Sequence, residues 1–493
     1  MSTLIIRAVP GLLAVSLTLA GAAGASAQTL QDALSAAYSN NPTLLAARAQ
    51  LRAIDENVPQ ALAGWRPTVV LQGSYGAADQ RLRSQAQVFR NDGSFFFRDP
   101  FANQINPVTG QLTTGPVSTT IRQERAPAAA TATLTQPIFR GGRTVASVRR
   151  AENQVLAQRA RLYSTEQTVM SDTTNAYISV IRFQEEVRLN INNEQVLSRQ
   201  LQATNERFRV GEITRTDVAQ ADSRLAGARA ARSLAEGQLQ TARATFQRLV
   251  GTSPERLVAP QPLRTPVNSQ DEARELASRN NPSVVAALFD EASARDNIDI
   301  QMSSLLPQIS VTSQAFRNDN AGGPHSRQTG GQVTANLSVP LYQGGAEYSL
   351  VRQARQQAQQ ARSLVNDARA VAVQQGVSSW ETLRSTRAQV QSVRTQIRAA
   401  EIALDGVQRE AIVGSRTTLD VLNAEQELLN ARVSLVRALA DNITGSYNVA
   451  AAVGRLTAQD LGLPVDYYDM RQYYNAVRDR WVGLGNYAQS SSR

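Results

Sequence analysis

The chain holds 493 residues, with 51 basic against 41 acidic side chains (net +10), one His and no Cys. Without Cys there can be no disulfide, no thiolate catalysis, no Cys-bearing metal site and no lipid on an N-terminal Cys. With His325 as the sole imidazole, a catalytic triad or multi-His metal site is excluded too, so no enzyme, cofactor or metal centre is expected.

All the basic residues are Arg, and they alternate with Glu, Asp and Gln along the chain instead of clustering. The net charge therefore does not argue for a nucleic-acid partner. Aromatic residues make up only 5%, in keeping with long helices rich in Ala, Gln and Arg.

Residues 1–27 carry Arg7, then an uncharged stretch rich in Leu, Val and Ala, then Ala25-Ser26-Ala27. This predicts a signal peptide with a mature start at Gln28. A retained membrane anchor fits less well, because Pro10 and several Gly interrupt a stretch already short for a span. No later stretch approaches 18 apolar residues, so an exported chain of this kind would meet a membrane again only as strands.

Beyond the leader the chain is a duplication. Asn40-Asn41-Pro42 recurs as Asn280-Asn281-Pro282, and Pro67 as Pro307, both 240 residues later. QPIFRGG at 136–142 recurs as VPLYQGG at 339–345, FRVGEITRTDV at 208–218 as AIVGSRTTLDV at 411–421, and Gly251 as Gly454, all 203 residues later. The 37-residue change in offset falls between two expected strands, in a loop read as roughly 79–127 in the first copy and 317–330 in the second. The predicted organisation is a first repeat at 28–254, a second at 255–456, and an aromatic-rich tail at 457–493, which the resemblance named below would place at the equatorial region.

Strands are expected at about 66–78, 129–139, 306–316 and 331–342. Val333, Ala335, Leu337, Val339 and Leu341 alternate with Gln332, Thr334, Asn336, Ser338 and Pro340. Ile309, Val311, Ser313 and Ala315 do the same, and the first copy repeats the pattern more loosely through Val69, Leu71, Gly73 and Tyr75. A period of two, apolar on one face and small and polar on the other, fits a transmembrane strand; it fits equally a soluble hairpin with one buried face. After each strand pair a Gly-Gly lets the backbone turn into a long helical pattern. Val351, Ala354, Ala358, Ala361, Val365, Ala368 and Ala372 step by three and four, a seam whose small residues let neighbouring helices pack close. Between Thr144 and Arg209 there is no Pro or Gly, enough for a helix of about 100 Å.

Four strands cannot close a membrane barrel by themselves, and an open edge in lipid leaves unpaired backbone groups at several kcal/mol each. If these strands span a membrane, several chains must pool them.

The duplication, the P-[IL]-[FY]-x-G-G strand exits and the VGxxxxxDV tips, over about residues 30–455, are those of a known family: the chain resembles the TolC family of outer-membrane channel-tunnels. The resemblance implies an α+β membrane protein, mostly long helices in a helical barrel, with four strands per protomer in a trimeric 12-stranded β-barrel. It implies a homotrimer in the outer membrane of a Gram-negative cell, extending into the periplasm as a passive exit duct for type I protein secretion or multidrug efflux. Its implied partners are a periplasmic adaptor, an inner-membrane transporter (an ABC protein or a proton-driven pump) and outer-membrane lipid.

The resemblance also carries site residues, at hairpin tips near 210–217 and 412–420. Arg416 falls on the family's gate arginine, Asp420 on an aspartate that rings the constriction, and Thr216 and Asp217 on the arginine's partners. Asn423 occupies the place of a second aspartate ring and Ala411 that of a gate tyrosine, two departures that leave an Arg416–Asp217 link available. Val210-Gly211 and Val413-Gly414 match the tip motif that meets adaptor hairpins. Read without the family, Asp217 and Asp420 each follow a Gly-containing turn and precede an apolar-periodic run, so each fits a helix cap as well as a gate.

His325 sits in a loop without a second ligand nearby. Phe95-Phe96-Phe97 is a loop cluster. Trp65, Tyr75 and Tyr342 flank strand ends, as an interfacial belt or as cover for the barrel–helix junction. The rival function is a periplasmic adaptor or coiled-coil scaffold, which would normally carry one hairpin and no duplication.

Overall fold

The structure is a computed structural model that describes residues 28–85, 87–89, 95–97, 118–323, 325–485 and 487. The expected signal peptide and most of the long first loop lie outside the described residues. Three helices open the chain, α1 (Leu30–Asn40), α2 (Pro42–Asp55) and α3 (Asn57–Leu62). Six strands follow: β1 (Thr68–Tyr75), β2 (Ala78–Gln85), β3 (Gln87–Phe89), β4 (Phe95–Phe97), β5 (Ser118–Arg125) and β6 (Ala128–Arg140). Then come α4 (Arg143–Arg209), α5 (Arg215–Val250), α6 (Gln270–Asn280) and α7 (Pro282–Met302), and strands β7 (Gln308–Asp319) and β8 (Arg327–Ser338). Helices α8 (Ala346–Ile412), α9 (Thr418–Ala452) and α10 (Gln472–Val477) complete the order.

The chain divides into two compact units. One comprises Ala49–Arg161, Ser283–Ala368 and Asp469–Arg493 and contains the strands. Its main sheet is antiparallel, in the order β1-β6-β7-β8, so β1 and β8 are its edges. The register sorts the side chains into two faces. Val69, Leu134, Ser313 and Val333 form one cross-sheet row, and the adjacent row is four threonines, Thr68, Thr135, Thr312 and Thr334. Val69, Leu71 and Val333 on the apolar face are 73–78% exposed, and Leu337 is 66% exposed. Among the described residues of the unit no packing layer covers that face. A β-bulge interrupts β6 against β7 between Pro137 and Phe139, where proline has no N–H to give to the ladder.

Two expectations need correction. The stretch 79–127 is not wholly loop: β2 and β5 pair antiparallel from Ala78↔Arg125 to Gln85↔Ser118, and Arg122 clasps Asp79 through Nη2 and Oδ2 at 2.9 Å. Phe95-Phe96-Phe97 is strand β4, paired with β3. Likewise the loop read at 317–330 shrinks to a turn, because β7 runs on to Asp319 and β8 starts at Arg327. β8 therefore begins four residues before the expected 331. It stops at Ser338 instead of 342, ahead of Pro340. The polar ladder continues where hydrophobic alternation has ended, since backbone bonds need no particular side chain.

In the same unit α10 closes on a small core of Val58, Ala151 and Val155, with Ile54, Leu62 and Tyr474 packed against it. Arg159 lies 5.3 Å from the Tyr474 ring centroid, and the Tyr473 hydroxyl donates to Glu56 Oε1 at 2.7 Å.

The described residues of the second unit, Met1–Arg48, Leu162–Pro282 and Arg369–Tyr468, are mostly helical. Its duplicated Asn-Asn-Pro motifs have a mechanical role. Asn41 ends α1 in an extended conformation, accepts from Thr43 N at 2.9 Å, and donates through Nδ2 to Leu249 O, in the last turn of α5, at 3.1 Å. Asn281 Nδ2 donates in the same way to Ala452 O, the end of α9, at 3.2 Å. One side chain thus serves the termini of three helices, carbonyls included that would otherwise be orphaned. Leu456, Ala458 and Leu463 of the tail are buried here. Arg48 lies between the Tyr38 and Tyr468 rings, 4.4 and 5.1 Å from their centroids. Of the expected α8 seam, Val351, Ala354, Ala358 and Val365 in the strand-containing unit and Ala372 in this one are buried, while Ala361 and Ala368 are half-buried.

Candidate functional site

The two hairpin tips lie in the helical unit, and their shape follows from local sequence. Val210 follows the last residue of α4. Gly211 takes φ +78° and its N–H donates to Phe208 O at 2.9 Å, while Glu212 N donates to Arg207 O at 3.0 Å. Gly414, φ +80°, and Ser415 repeat the pair of bonds to Ala411 O and Glu410 O at 3.2 and 3.0 Å. This is the Schellman ending, which needs a left-handed residue just past the helix; any other L residue there costs about 1–2 kcal/mol. It explains the glycine of each Val-Gly pair.

The return helices begin with matched capping boxes. Asp217 N donates to Thr214 Oγ1 at 3.4 Å, and Thr214 N donates to Asp217 Oδ2 at 2.9 Å. The second copy gives 3.2 Å for Asp420 N to Thr417 Oγ1 and 3.0 Å for Thr417 N to Asp420 Oδ2. The caps are thus Thr214 and Thr417, each aspartate being the third helical residue that reaches back. The Thr-x-x-Asp spacing was the signal for these caps. Hydrogen bonds from the threonine hydroxyls and backbones hold both aspartates below the ordinary carboxylate range, so they stay charged near neutral pH. Thr216 is exposed beside Asp217.

Arg416 does not reach Asp217. Its Nε meets Glu410 Oε2 at 2.8 Å, across its own turn. The first tip holds the mirror arrangement, Arg207 Nη2 to Glu212 Oε1 at 2.5 Å. Asn423, in the expected place of a second acidic ring, accepts from Arg224 Nη2 at 2.8 Å and so ties α9 to α5. Just beneath, Leu197, Ala221, Leu225, Ala228 and Leu422 form a buried cluster. Besides the true caps Thr214 and Thr417, sequence reasoning missed four site residues, in order Arg207, Glu212, Arg224 and Glu410. Only the spacing of opposite charges across a glycine turn hints at the first, second and fourth, and Arg224 carries no local signal. Glu425, further along α9, is pushed up by burial although Gln408 donates to it.

Val210 and Val413 are each 78% exposed, and Ile412 84%. Among the described residues no group of three or more His, Cys, Asp or Glu could hold a metal ion, and no helix is long and apolar enough to cross a membrane.

Comparison with known proteins matches this architecture. The family profile described as "Outer membrane efflux protein" matches residues 33–252 and 273–455. The outer membrane efflux protein BepC of Brucella suis biovar 1 (strain 1330) is 34% identical over 462 residues, 93% of this chain and 92% of that protein. The outer membrane protein TolC of Vibrio cholerae serotype O1 is 29% identical over 329 residues, 63% of this chain and 73% of that one. In fold, the Campylobacter jejuni CmeC outer membrane channel superposes with a TM-score of 0.70 at 14% identity, covering 91% of this chain and 89% of that chain.

Proposed function

The chain belongs to the outer membrane efflux protein family, and from that premise we propose that it is the trimeric exit duct of a tripartite export system. As a family member it is an outer-membrane channel of Gram-negative type and not an enzyme. The observation that carries a shared barrel is the sheet: four strands, two unpaired edges in β1 and β8, and an exposed apolar face; the number three is what the family resemblance adds. In lipid each open edge is prohibitive, and three copies of four strands give a closed 12-stranded barrel with no edge left. The rows of threonine, glutamine and asparagine then face a wet lumen.

In this reading the repeats at 28–254 and 255–456 are the duplicated halves of one protomer, and the tail at 457–493 packs at its equatorial region. The hairpin tips form the periplasmic gate. Asp420 and Asp217 supply fixed negative charge near the axis, Arg416 and Thr216 belong to the same tips, and the Arg224–Asn423 bond occupies the place of the second acidic ring without its negative charge. Val210-Gly211 and Val413-Gly414 meet the hairpins of a periplasmic adaptor, which links the duct to an ABC or proton-driven inner-membrane transporter. A relative named for protease secretion, the alkaline protease secretion protein AprF of Pseudomonas aeruginosa, and one named for efflux, BepC, bracket the cargo. The adaptor alternative is not favoured, because the family match extends across both repeats.

Outer-membrane fractionation of the full chain tests the proposal. A heat-modifiable species of three chain masses that conducts ions in planar bilayers is expected. A soluble periplasmic monomer without conductance would refute it.

A further inference from the structure

The outer end of the sheet carries a feature that neither the duct nor its gate uses. β7 and β8 pair without a register shift from Gln308↔Ser338 to Asp319↔Arg327. The apolar face runs through Ile309, Val311, Ser313 and Ala315, and the same parity continues to Arg317 and Asp319. On β8 it runs back from Leu337, Ala335 and Val333 to Arg327. The lipid-facing side therefore ends in two arginines and an aspartate. Asp319 holds both guanidinium groups, one on each carboxylate oxygen: Arg317 Nε to Oδ2 at 2.9 Å and Arg327 Nε to Oδ1 at 2.6 Å. Both contacts use Nε and leave the terminal nitrogens on side chains that are 55% and 66% exposed.

The height of this cluster decides what it meets. Ten residues separate the Ile309–Leu337 row from the Asp319–Arg327 row, about 34 Å along a strand. At the usual tilt of roughly 40° that is about 26 Å of membrane depth, the height of the apolar band of an outer-membrane barrel. The cluster thus lies at the headgroup level. An independent marker agrees: Tyr75, 82% exposed, shares the cross-sheet row of Ala128, Asp319 and Arg327, and tyrosine belongs at that interface. The long helices leave from the opposite end of the strands, after Arg140 and Ser338, so the cluster faces the outer leaflet.

We infer that Arg317 and Arg327, held side by side by Asp319, bind a phosphate monoester on the headgroup of an outer-leaflet glycolipid. Two forks pre-positioned through Nε present their terminal N–H groups in the geometry that suits phosphate oxygens. The cluster keeps a net charge of +1. This assignment rests on the reading that the sheet spans the outer membrane.

The test uses the full-length oligomer purified in detergent, with bound lipid counted by native mass spectrometry. Diphosphoryl lipid A, the same lipid A with its phosphates removed, and inorganic phosphate are the three probes. Diphosphoryl lipid A is expected to bind at least ~10-fold more tightly than the dephosphorylated lipid, the weight of one charge-assisted pair. The Arg317→Gln/Arg327→Gln protein loses that preference, and Arg317→Lys/Arg327→Lys keeps only part of it. Equal binding of the two lipids by the wild type, or an undiminished preference in the Gln pair, overturns the site. Displacement of the lipid by inorganic phosphate at equal concentration overturns the lipid as its ligand. If the Gln pair does not assemble, the Lys pair and the wild-type comparison still decide. A wild-type chain that forms no detergent-stable oligomer refutes the membrane reading itself, a result distinct from a stable oligomer without phosphate preference.

Discussion

Replacing Asp55 with Asn should stabilise the protein at alkaline pH and not at acid pH. Asp55, the last residue of α2, is 1% exposed. Both its carboxylate oxygens are buried without a hydrogen-bond partner among the described residues. Burial pushes its pKa from 3.8 up to about 7, against the pull of the Arg159 guanidinium. Below about pH 4 the acid is protonated in the folded and unfolded chain alike and its titration costs nothing. As the pH rises from 3.8 towards 7 the unfolded chain ionises first, so stability falls, and above 7 the loss is complete. A shift of about three units corresponds to roughly 4 kcal/mol per chain. Asn is close in shape and cannot ionise, but it brings amide donors that cost about 1–3 kcal/mol if unpaired. Asp55→Asn should therefore gain about 1–3 kcal/mol near pH 8 and lose a similar amount near pH 4. Thermal unfolding of the detergent-solubilised full chain, followed by helical circular dichroism at both pH values, measures the difference. A change of the same sign and size at both would show that Asp55 is not the buried, ionisation-resistant acid described here.

Asp420→Ala should lower cation selectivity and weaken block by millimolar divalent cations in planar bilayers; unchanged block would place Asp420 away from the constriction. Arg416→Ser should raise the resting conductance, and Glu410→Gln should do the same because Glu410 is the group Arg416 holds. A closed channel in both variants would remove that ion pair from the gate. Gly454→Ala should be far more damaging than Gly251→Ala. Both glycines have positive φ, +80° and +90°, but a Cβ on Gly454 would come within 2.5 Å of Asn280 O whereas one on Gly251 meets nothing within 4 Å. The first should melt lower by several kcal/mol and the second by about 1–2 kcal/mol; equal losses would contradict the close approach.

Much of the architecture is legible in the sequence because it rests on periodicity. The alternation on 333–337 fixes which face of β8 is apolar, and the three-four stepping from Val351 to Ala372 fixes the buried seam of α8. The ends of β7 and β8 are not legible in this way. Arg317, Asp319 and Arg327 read as loop by composition, while in the sheet they continue the parity of an apolar face through paired strand residues. The tips divide similarly. Gly211 and Gly414 are readable because a Schellman turn demands them, and Thr214 and Thr417 because of the capping spacing. The partner of Arg416 is not, since an ion pair across a turn depends on side-chain reach that no period encodes.

The duplication makes a comparison of the two copies informative about function. Positions that agree do backbone work: Asn41 and Asn281 hold helix ends, Gly211 and Gly414 close Schellman turns, and Asp217 and Asp420 complete capping boxes. Positions that differ at the tips change charge. Arg207 corresponds to Glu410, Glu212 to Ser415 and Ile213 to Arg416. The ion pair runs cation-before-turn in the first copy and anion-before-turn in the second. Either order would pin a turn equally well, so folding places no demand on it. In the trimeric reading proposed above, a ring in which both kinds of tip alternate would, because reversed neighbours present opposite charges where identical ones would present like charges. The inversion is thus a difference between the copies that the helices do not need for their own stability.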